Sequence, residues 1–195
     1  MSKSKDDMAN LTAMLNANAD YSEHCSLAEL GAAPEKCMAI LTCMDCRMDP
    51  NKFSGLKEGE AHVIRNAGGR ATEDAIRSLI ISHKFLGTVE WLVIQHTQCG
   101  MSSVTDQWVG ELLADDLETA EYDGQQWRNP QRDQSENTKP GSDLGKDICW
   151  HTFTDLQQSV RADVELIKNH PLVASHIKVH GFIFDINTGR LAPVV

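Results

Sequence analysis

Short apolar runs alternate with segments of helical periodicity through the middle of the chain. The runs at residues 38–44 and 89–97 are continuously apolar and predict buried strands, and residues 62–66 predict a third strand between them. Apolar positions three and four apart predict a helix that begins after the N-cap Thr72 and ends at Gly87. Continuous apolar strands separated by helices are typical of a parallel sheet that is covered on both faces.

The ends of the chain add further elements to this pattern. Residues 5–20 predict a weakly amphipathic N-terminal helix. The capping-box pattern of Thr154–Gln157 predicts a second helix start, and that helix ends before Pro171. Residues 177–185 predict a strand, followed by a short closing strand at 191–194. We therefore predict an α/β fold: a mostly parallel central sheet flanked by helices, with a closing antiparallel strand.

One stretch interrupts the periodic pattern. Residues from about 114 to 146 are polar, contain two prolines and show little periodicity. A loop of that length is uncommon unless it is functional or disordered. We interpret it as a surface excursion, partly helical at its start, from a single domain that spans residues 1–195.

Composition and charge narrow the classes of function. The formal net charge is −10, which argues against nucleic acid and anionic membrane as partners because both repel an acidic surface. The first ten residues are polar and precede no apolar signal region, and no apolar run approaches the roughly 20 residues that span a bilayer. We predict a cytoplasmic protein. Its six cysteines then fit thiols or metal ligands better than a disulfide framework.

Three side chains suited to a soft metal ion follow the predicted strands. Cys43 lies at the end of the first strand, His96 ends the third strand, and Cys99 lies in the next turn. The carboxyl ends of neighbouring parallel strands converge on one crevice, so these residues can meet there. Two thiolates and one imidazole suit Zn²⁺ and leave its fourth position to water.

A carboxylate and a guanidinium accompany the first of these residues. Asp45 and Arg47 stand at a spacing of two. An unrestrained carboxylate near zinc tends to bind the metal, and a bidentate pair with Arg47 can hold it away. Held in this way, Asp45 can accept the proton of a zinc-bound hydroxide and orient the hydroxide towards a substrate.

Three motifs together resemble the signature of the β-class carbonic anhydrases. They are Cys43–Arg47 (C-M-D-C-R), Arg65–Gly69 (R-N-A-G-G) and His96–Gly100 (H-T-Q-C-G), and the similarity runs over residues 38–110 and 155–195. The resemblance implies a parallel-centred α/β sheet, Cys43, His96 and Cys99 as zinc ligands, and Asp45 with Arg47 as a catalytic dyad. It also implies a small-molecule substrate and a homodimer or a multiple of one.

The details of the motifs resemble one branch of that family. Gly69 stands where many members end the motif differently, and Met101 stands where a second glycine is usual. These features resemble the compact branch that includes carbonyl sulfide hydrolase and carbon disulfide hydrolase. The expected chemistry is attack of zinc-bound hydroxide on the central carbon of a linear molecule X=C=Y. We predict carbonyl sulfide hydrolase activity (COS to CO₂ and H₂S), with carbonic anhydrase activity as the alternative.

Other interpretations of the same residues stay open. Cys43 and Cys46 form a C-x-x-C pair, which is also the pattern of a thiol oxidoreductase. A non-catalytic zinc-binding interaction module is a third possibility, although such a module has no use for an Asp45–Arg47 pair. The glycines at 67–69 lack the spacing of a dinucleotide site, and we expect them to let the backbone run close beside the metal pocket.

Overall fold

The computed structural model describes residues 6–130 and 140–195 and divides the chain into two units, which meet after Ala32. The first unit contains helix α1 (Asp6–Ser22) and a 3-10 turn at Leu27–Glu29. Helix α1 confirms the predicted N-terminal helix. Among its apolar side chains Leu11, Met14 and Leu15 are each about half exposed. The single-domain organisation of residues 1–195 stays a prediction.

The second unit is built on a five-stranded sheet in the order β2-β1-β3-β6-β7. Four strands are parallel, and the last pairs antiparallel with its neighbour. The strands are β1 (Met38–Cys43), β2 (Ala61–Asn66), β3 (Glu90–His96), β6 (Lys178–Phe184) and β7 (Leu191–Pro193). This topology confirms the predicted mostly parallel sheet with an antiparallel closing strand.

Helices cover both faces of the sheet, because each central strand is apolar on both sides. Ala39 and Leu41 pack with side chains of α3 (Glu73–Leu86) and α5 (Leu156–Lys168). Ile40 lies in a second apolar cluster on the other face, with Phe53 of the short helix α2 (Pro50–Ser54) packed against it. Helix α4 (Asp106–Asp115) completes the helices of the described residues.

The helix boundaries follow local capping chemistry. The Thr72 hydroxyl accepts a hydrogen bond from the backbone of Ala75, and Gly87 ends α3 with a left-handed φ of 73°, as predicted. The capping box assigned to Thr154 is wrong by one residue. Asp155 is the N-cap of α5, since its side chain accepts from the backbone of Gln158. A carboxylate caps a helix as well as a hydroxyl does and interacts favourably with the helix dipole.

The polar excursion contains more regular structure than its sequence suggests. Strands β4 (Glu121–Tyr122) and β5 (Trp127–Arg128) form an antiparallel hairpin, and a 3-10 segment follows at Asp143–Asp147. The predicted helical start is confirmed only at its edge, since α4 ends at Asp115. The part of the excursion at 131–139 lies outside the described residues.

Two further expectations concern the whole chain. All six cysteines are free thiols, which confirms the prediction of thiols or ligands over a disulfide framework. Across residues 6–130 and 140–195, the structure has no helix that is long and apolar enough to cross a membrane.

Candidate metal centre

The sheet brings the three soft donors together at the carboxyl ends of two adjacent strands. Cys43 is the last residue of β1 and His96 the last of β3, and the Thr42 hydroxyl ties the two strands by donating to the carbonyl of Ile94 (2.7 Å). Cys99 follows in the turn after β3. The two Sγ atoms and a ring nitrogen of His96 lie within 4.8 Å of one another, and all three residues are buried. This group can hold a metal ion.

The histidine ring is oriented for such a role. Its Nδ1 lies 2.8 Å from the backbone oxygen of Thr97. A carbonyl only accepts hydrogen bonds, so Nδ1 carries the proton and Nε2 keeps its lone pair. The Nε2 atom is buried and has no hydrogen-bond partner among the described residues. A buried nitrogen in that state costs free energy unless something binds it, and a metal ion satisfies this requirement.

The two thiols influence each other strongly. A hydrogen bond from Cys99 lowers the pKa of Cys43 far below its usual value, against the opposing effect of burial, and His96 contributes in the same direction. The same contact with Cys43, together with burial, raises the pKa of Cys99. Two adjacent buried thiolates repel each other, so only Cys43 ionises readily without a cation. A divalent cation removes that repulsion and favours both thiolates.

The predicted dyad lies directly beside the three donors. Arg47 donates from Nε to Oδ1 of Asp45 (3.0 Å) and from Nη2 to Oδ2 (2.7 Å), and its backbone N–H donates to Oδ1 (2.9 Å). These contacts lower the pKa of Asp45 to about 2, with the side-chain hydrogen bond of Arg47 as the main cause. The Oδ2 atom of Asp45 is 3.7 Å from Nε2 of His96. The carboxylate is therefore ionised at neutral pH, next to the metal donors but held by the guanidinium.

Backbone contacts fix the segment that carries Cys43 and Asp45. Arg65 donates to the carbonyl oxygens of both residues, at 3.0 Å and 2.7 Å respectively. Gly69 has a φ of 65°, and a Cβ at this position would lie only 2.8 Å from the backbone nitrogen of Cys43. The expectation that these glycines let the backbone run close beside the pocket is confirmed.

A buried ion pair supports the same loop from behind, and the sequence interpretation missed it. Arg70 binds Asp163 of α5 through two hydrogen bonds (2.8 Å and 3.0 Å), and the Gln95 amide donates to the same carboxylate (2.8 Å). Asp163 is 3% exposed. The signal was present in the sequence, because Asp163 interrupts the apolar stripe of α5 between Val160 and Val164. A charged residue on a buried stripe requires a partner.

The hairpin of the excursion borders a pocket that reaches the candidate metal centre. The pocket has a volume of about 340 Å³ and is lined by residues of the turn after β3 and by two aromatic residues, Tyr122 and Trp127. Cys99 is one of the lining residues. The Trp127 indole donates to the hydroxyl of Ser103 (3.0 Å), and the Trp108 indole donates to the carbonyl of Trp127 (2.9 Å). These bonds fasten the hairpin beside the turn that carries Cys99.

The comparison with known proteins follows this geometry. A family model described as carbonic anhydrase matches residues 38–191. The chain belongs to the β-carbonic anhydrase family. Its solved relatives include the carbonic anhydrase of Streptococcus mutans, which has a TM-score of 0.77 and 38% sequence identity. That match covers 95% of this chain and 97% of the other.

Curated members of the β-carbonic anhydrase family divide between two activities. β-Carbonic anhydrase 1 of Mycobacterium tuberculosis is 37% identical over 179 residues, which is 91% of this chain and 93% of the relative. A carbon disulfide hydrolase of Acidithiobacillus thiooxidans is 33% identical over 170 residues, 85% of this chain and 80% of the relative. Membership of the family and of this branch, and the α/β fold, were thus predicted correctly from the motifs.

Proposed function

We propose that Cys43, His96 and Cys99 bind one zinc ion and that the site adds water to a small linear molecule X=C=Y. The observation that supports this proposal is the combination of three buried soft donors with an adjacent carboxylate that a guanidinium holds. The donor set suits zinc and leaves one position open. A purely structural zinc site has four protein ligands and no use for such a pair.

Each residue then has a defined part in the chemistry. When bound, zinc supplies a Lewis acid that makes a nucleophile from water at neutral pH. The two thiolates offset the charge of the ion, which weakens this effect. Asp45 compensates by accepting the proton of the attacking water and aiming its lone pair at the substrate carbon. Arg47 keeps the carboxylate turned away from the open position, because its two side-chain hydrogen bonds occupy both carboxylate oxygens.

Carbon dioxide is the substrate that we propose first. The relatives with the highest identities reported above are carbonic anhydrases, and addition of water to CO₂ gives bicarbonate and a proton. Hydrolysis of carbonyl sulfide, which the motif details favoured, is the second candidate. The similarity to carbon disulfide hydrolase favours it, because that relative acts on a C=S bond. The same donors and the same dyad serve both reactions.

The structure gives no support to the thiol oxidoreductase interpretation. Cys43 is buried at the end of a strand, and Cys46 is exposed. Redox C-x-x-C pairs gain a reactive thiolate from the start of a helix, whereas α2 begins only at Pro50. Cys46 is therefore a matched control for the metal ligands.

The test measures zinc content, CO₂ hydration and H₂S release from COS on the same preparations. We expect about one zinc ion per chain in the wild type. Cys43→Ser and His96→Ala should lose both the metal and the activity, whereas Cys46→Ser should keep both. Near-full zinc occupancy in Cys43→Ser would overturn the ligand assignment, and loss of activity in Cys46→Ser would favour redox chemistry. The ratio of the two wild-type rates decides the substrate.

We also propose that the chain forms a homodimer or a multiple of one. Helix α1 presents Leu11, Met14 and Leu15 at helical spacing, and each is about half exposed. Such a stripe gains free energy when a second chain covers it. Light scattering should report at least a dimer at micromolar concentration, and replacement of the three residues by serine should shift the protein towards monomer. A fully active monomer of the wild type would contradict the proposal.

A further inference from the structure

The guanidinium of Arg47 is held from two sides. One side faces Asp45 through Nε and Nη2. The other faces Gln98, where Nη2 donates to the backbone carbonyl (3.2 Å) and Nη1 donates to the side-chain Oε1 (3.4 Å). All three nitrogens of the guanidinium are therefore engaged. Since the Arg47 side chain is 45% exposed, packing alone does not immobilise it, and these hydrogen bonds set its orientation.

The backbone of Gln98 is itself in an unusual conformation. Its φ is +58°, in the left-handed region that non-glycine residues seldom adopt. This turn places Gln98 immediately before Cys99, so the carbonyl that accepts from Arg47 is anchored by a candidate metal ligand. A residue in this conformation carries a local free-energy cost, and such costs persist where the surrounding structure enforces them.

The amide of Gln98 is fixed at its far end as well. Its Nε2 donates to Oδ1 of Asn187 (3.1 Å), in the turn between β6 and β7. The orientation of the amide follows from chemistry, because a guanidinium has only donors and must face the oxygen. The turn is in turn fastened to β3 by the backbone of Ile186, which donates to the hydroxyl of Thr97 (3.0 Å). A continuous chain of hydrogen bonds thus runs from Asn187 through Gln98 and Arg47 to Asp45.

We propose that Gln98 is a positioning residue for the reaction: it fixes Arg47, which in turn keeps the Asp45 carboxylate away from the open coordination position. The inference rests on the proposed function. Without the Gln98 side chain, Arg47 regains rotational freedom and Asp45 spends part of its time directed at the metal. The loss then falls on turnover and on access to the open position, while the three metal ligands stay in place.

The test compares Gln98→Ala with Gln98→Gly. Both remove the side chain, but glycine also relieves the cost of the positive φ, so the pair separates the amide contact from the backbone. Asn187→Ala removes the anchor of the amide. Gln107→Ala is the matched control, because Gln107 is an exposed glutamine of α4 whose amide contacts only Glu111 among the described residues. Three quantities are measured: kcat and KM for CO₂, zinc stoichiometry, and azide binding to the cobalt(II)-substituted protein followed by its visible absorption.

For both Gln98 variants we expect kcat to fall about threefold to tenfold, which corresponds to the loss of one or two hydrogen bonds to a charged group. We expect zinc stoichiometry to stay at the wild-type value and azide to bind more weakly by a similar factor, because Asp45 competes for the open position. Asn187→Ala should show a smaller effect in the same direction, and Gln107→Ala none. Wild-type kcat and azide affinity in both Gln98 variants would overturn the inference, as would a loss confined to Gln98→Ala. A wild type without zinc or hydration activity would instead refute the proposed function.

Discussion

The buried ion pair between Arg70 and Asp163 leads to a quantitative prediction for Asp163→Asn. The side chains are 12% and 5% exposed, and the carboxylate accepts three hydrogen bonds, two from Arg70 and one from Gln95. Asparagine leaves the guanidinium charge without a counter-charge and points an N–H group at other donors. Breaking a buried pair in this way costs about 3–5 kcal/mol of unfolding free energy. For a chain of this size that corresponds to a fall in Tm of about 6–20 °C.

The matched control is an exposed pair with the same chemistry. Asp74 binds Arg77 at 2.8 Å on the surface of α3, and the two side chains are 78% and 65% exposed. Surface pairs contribute little because water screens them, so Asp74→Asn should cost less than about 1 kcal/mol. Urea unfolding of the reduced, chelator-treated proteins at pH 7 gives both free energies without a contribution from metal binding. Equal costs for the two variants would refute the argument from burial.

Three further predictions follow from single contacts. Gly69→Ala should lower stability and zinc affinity, because its Cβ would lie 2.8 Å from the backbone of β1, whereas Gly87→Ala, also at positive φ but with open space around it, should cost only about 1 kcal/mol. Similar losses of zinc affinity in the two variants would contradict this. Burial raises the pKa of Asp106, but hydrogen bonds from the Thr152 hydroxyl and two backbone N–H groups bring it below its usual value. Asp106→Asn should therefore be less stable than wild type at pH 7, by a margin that shrinks as the pH falls below about 4, where the unfolded-state carboxyl begins to take up its proton; a margin independent of pH in urea titrations would be evidence against it. Trp127→Ala should speed proteolytic cleavage of the hairpin without changing zinc content, and an unchanged cleavage rate would show that the Trp127 contacts do not hold the hairpin.

Elements with local signals were predictable from the sequence. The continuous apolar runs identified β1 and β3, and Thr72 and Gly87 marked the two ends of α3, because both depend on residues a few positions apart. The three soft donors and the dyad were found in the same way, since each follows a strand end or stands two residues from one. The metal, its identity and the roles of these side chains remain proposals.

Other features depended on contacts that no local pattern records. The hairpin at 121–128 is held by indole hydrogen bonds to distant residues, so its polar sequence resembled a loop. The start of α5 was misplaced because Thr154 and Asp155 are both good N-caps and only the structure decides between them. The partnership of Arg70 with Asp163 spans 93 positions, and the positive φ of Gln98 has no signature in a glutamine.

The order of strands in the sheet has a consequence for synthesis on the ribosome. His96 ends a strand that lies between β1 and β6, and β6 is made of residues 178–184. During translation the chain therefore carries Cys43, His96 and Cys99 for some eighty residues before the strand that closes this side of β3 emerges. Through that interval β3 has one unpaired edge, and the nascent chain exposes the site's two thiols to oxidants and its open edge to other strands. A reducing environment and prompt release from the ribosome thus protect the centre before it has formed.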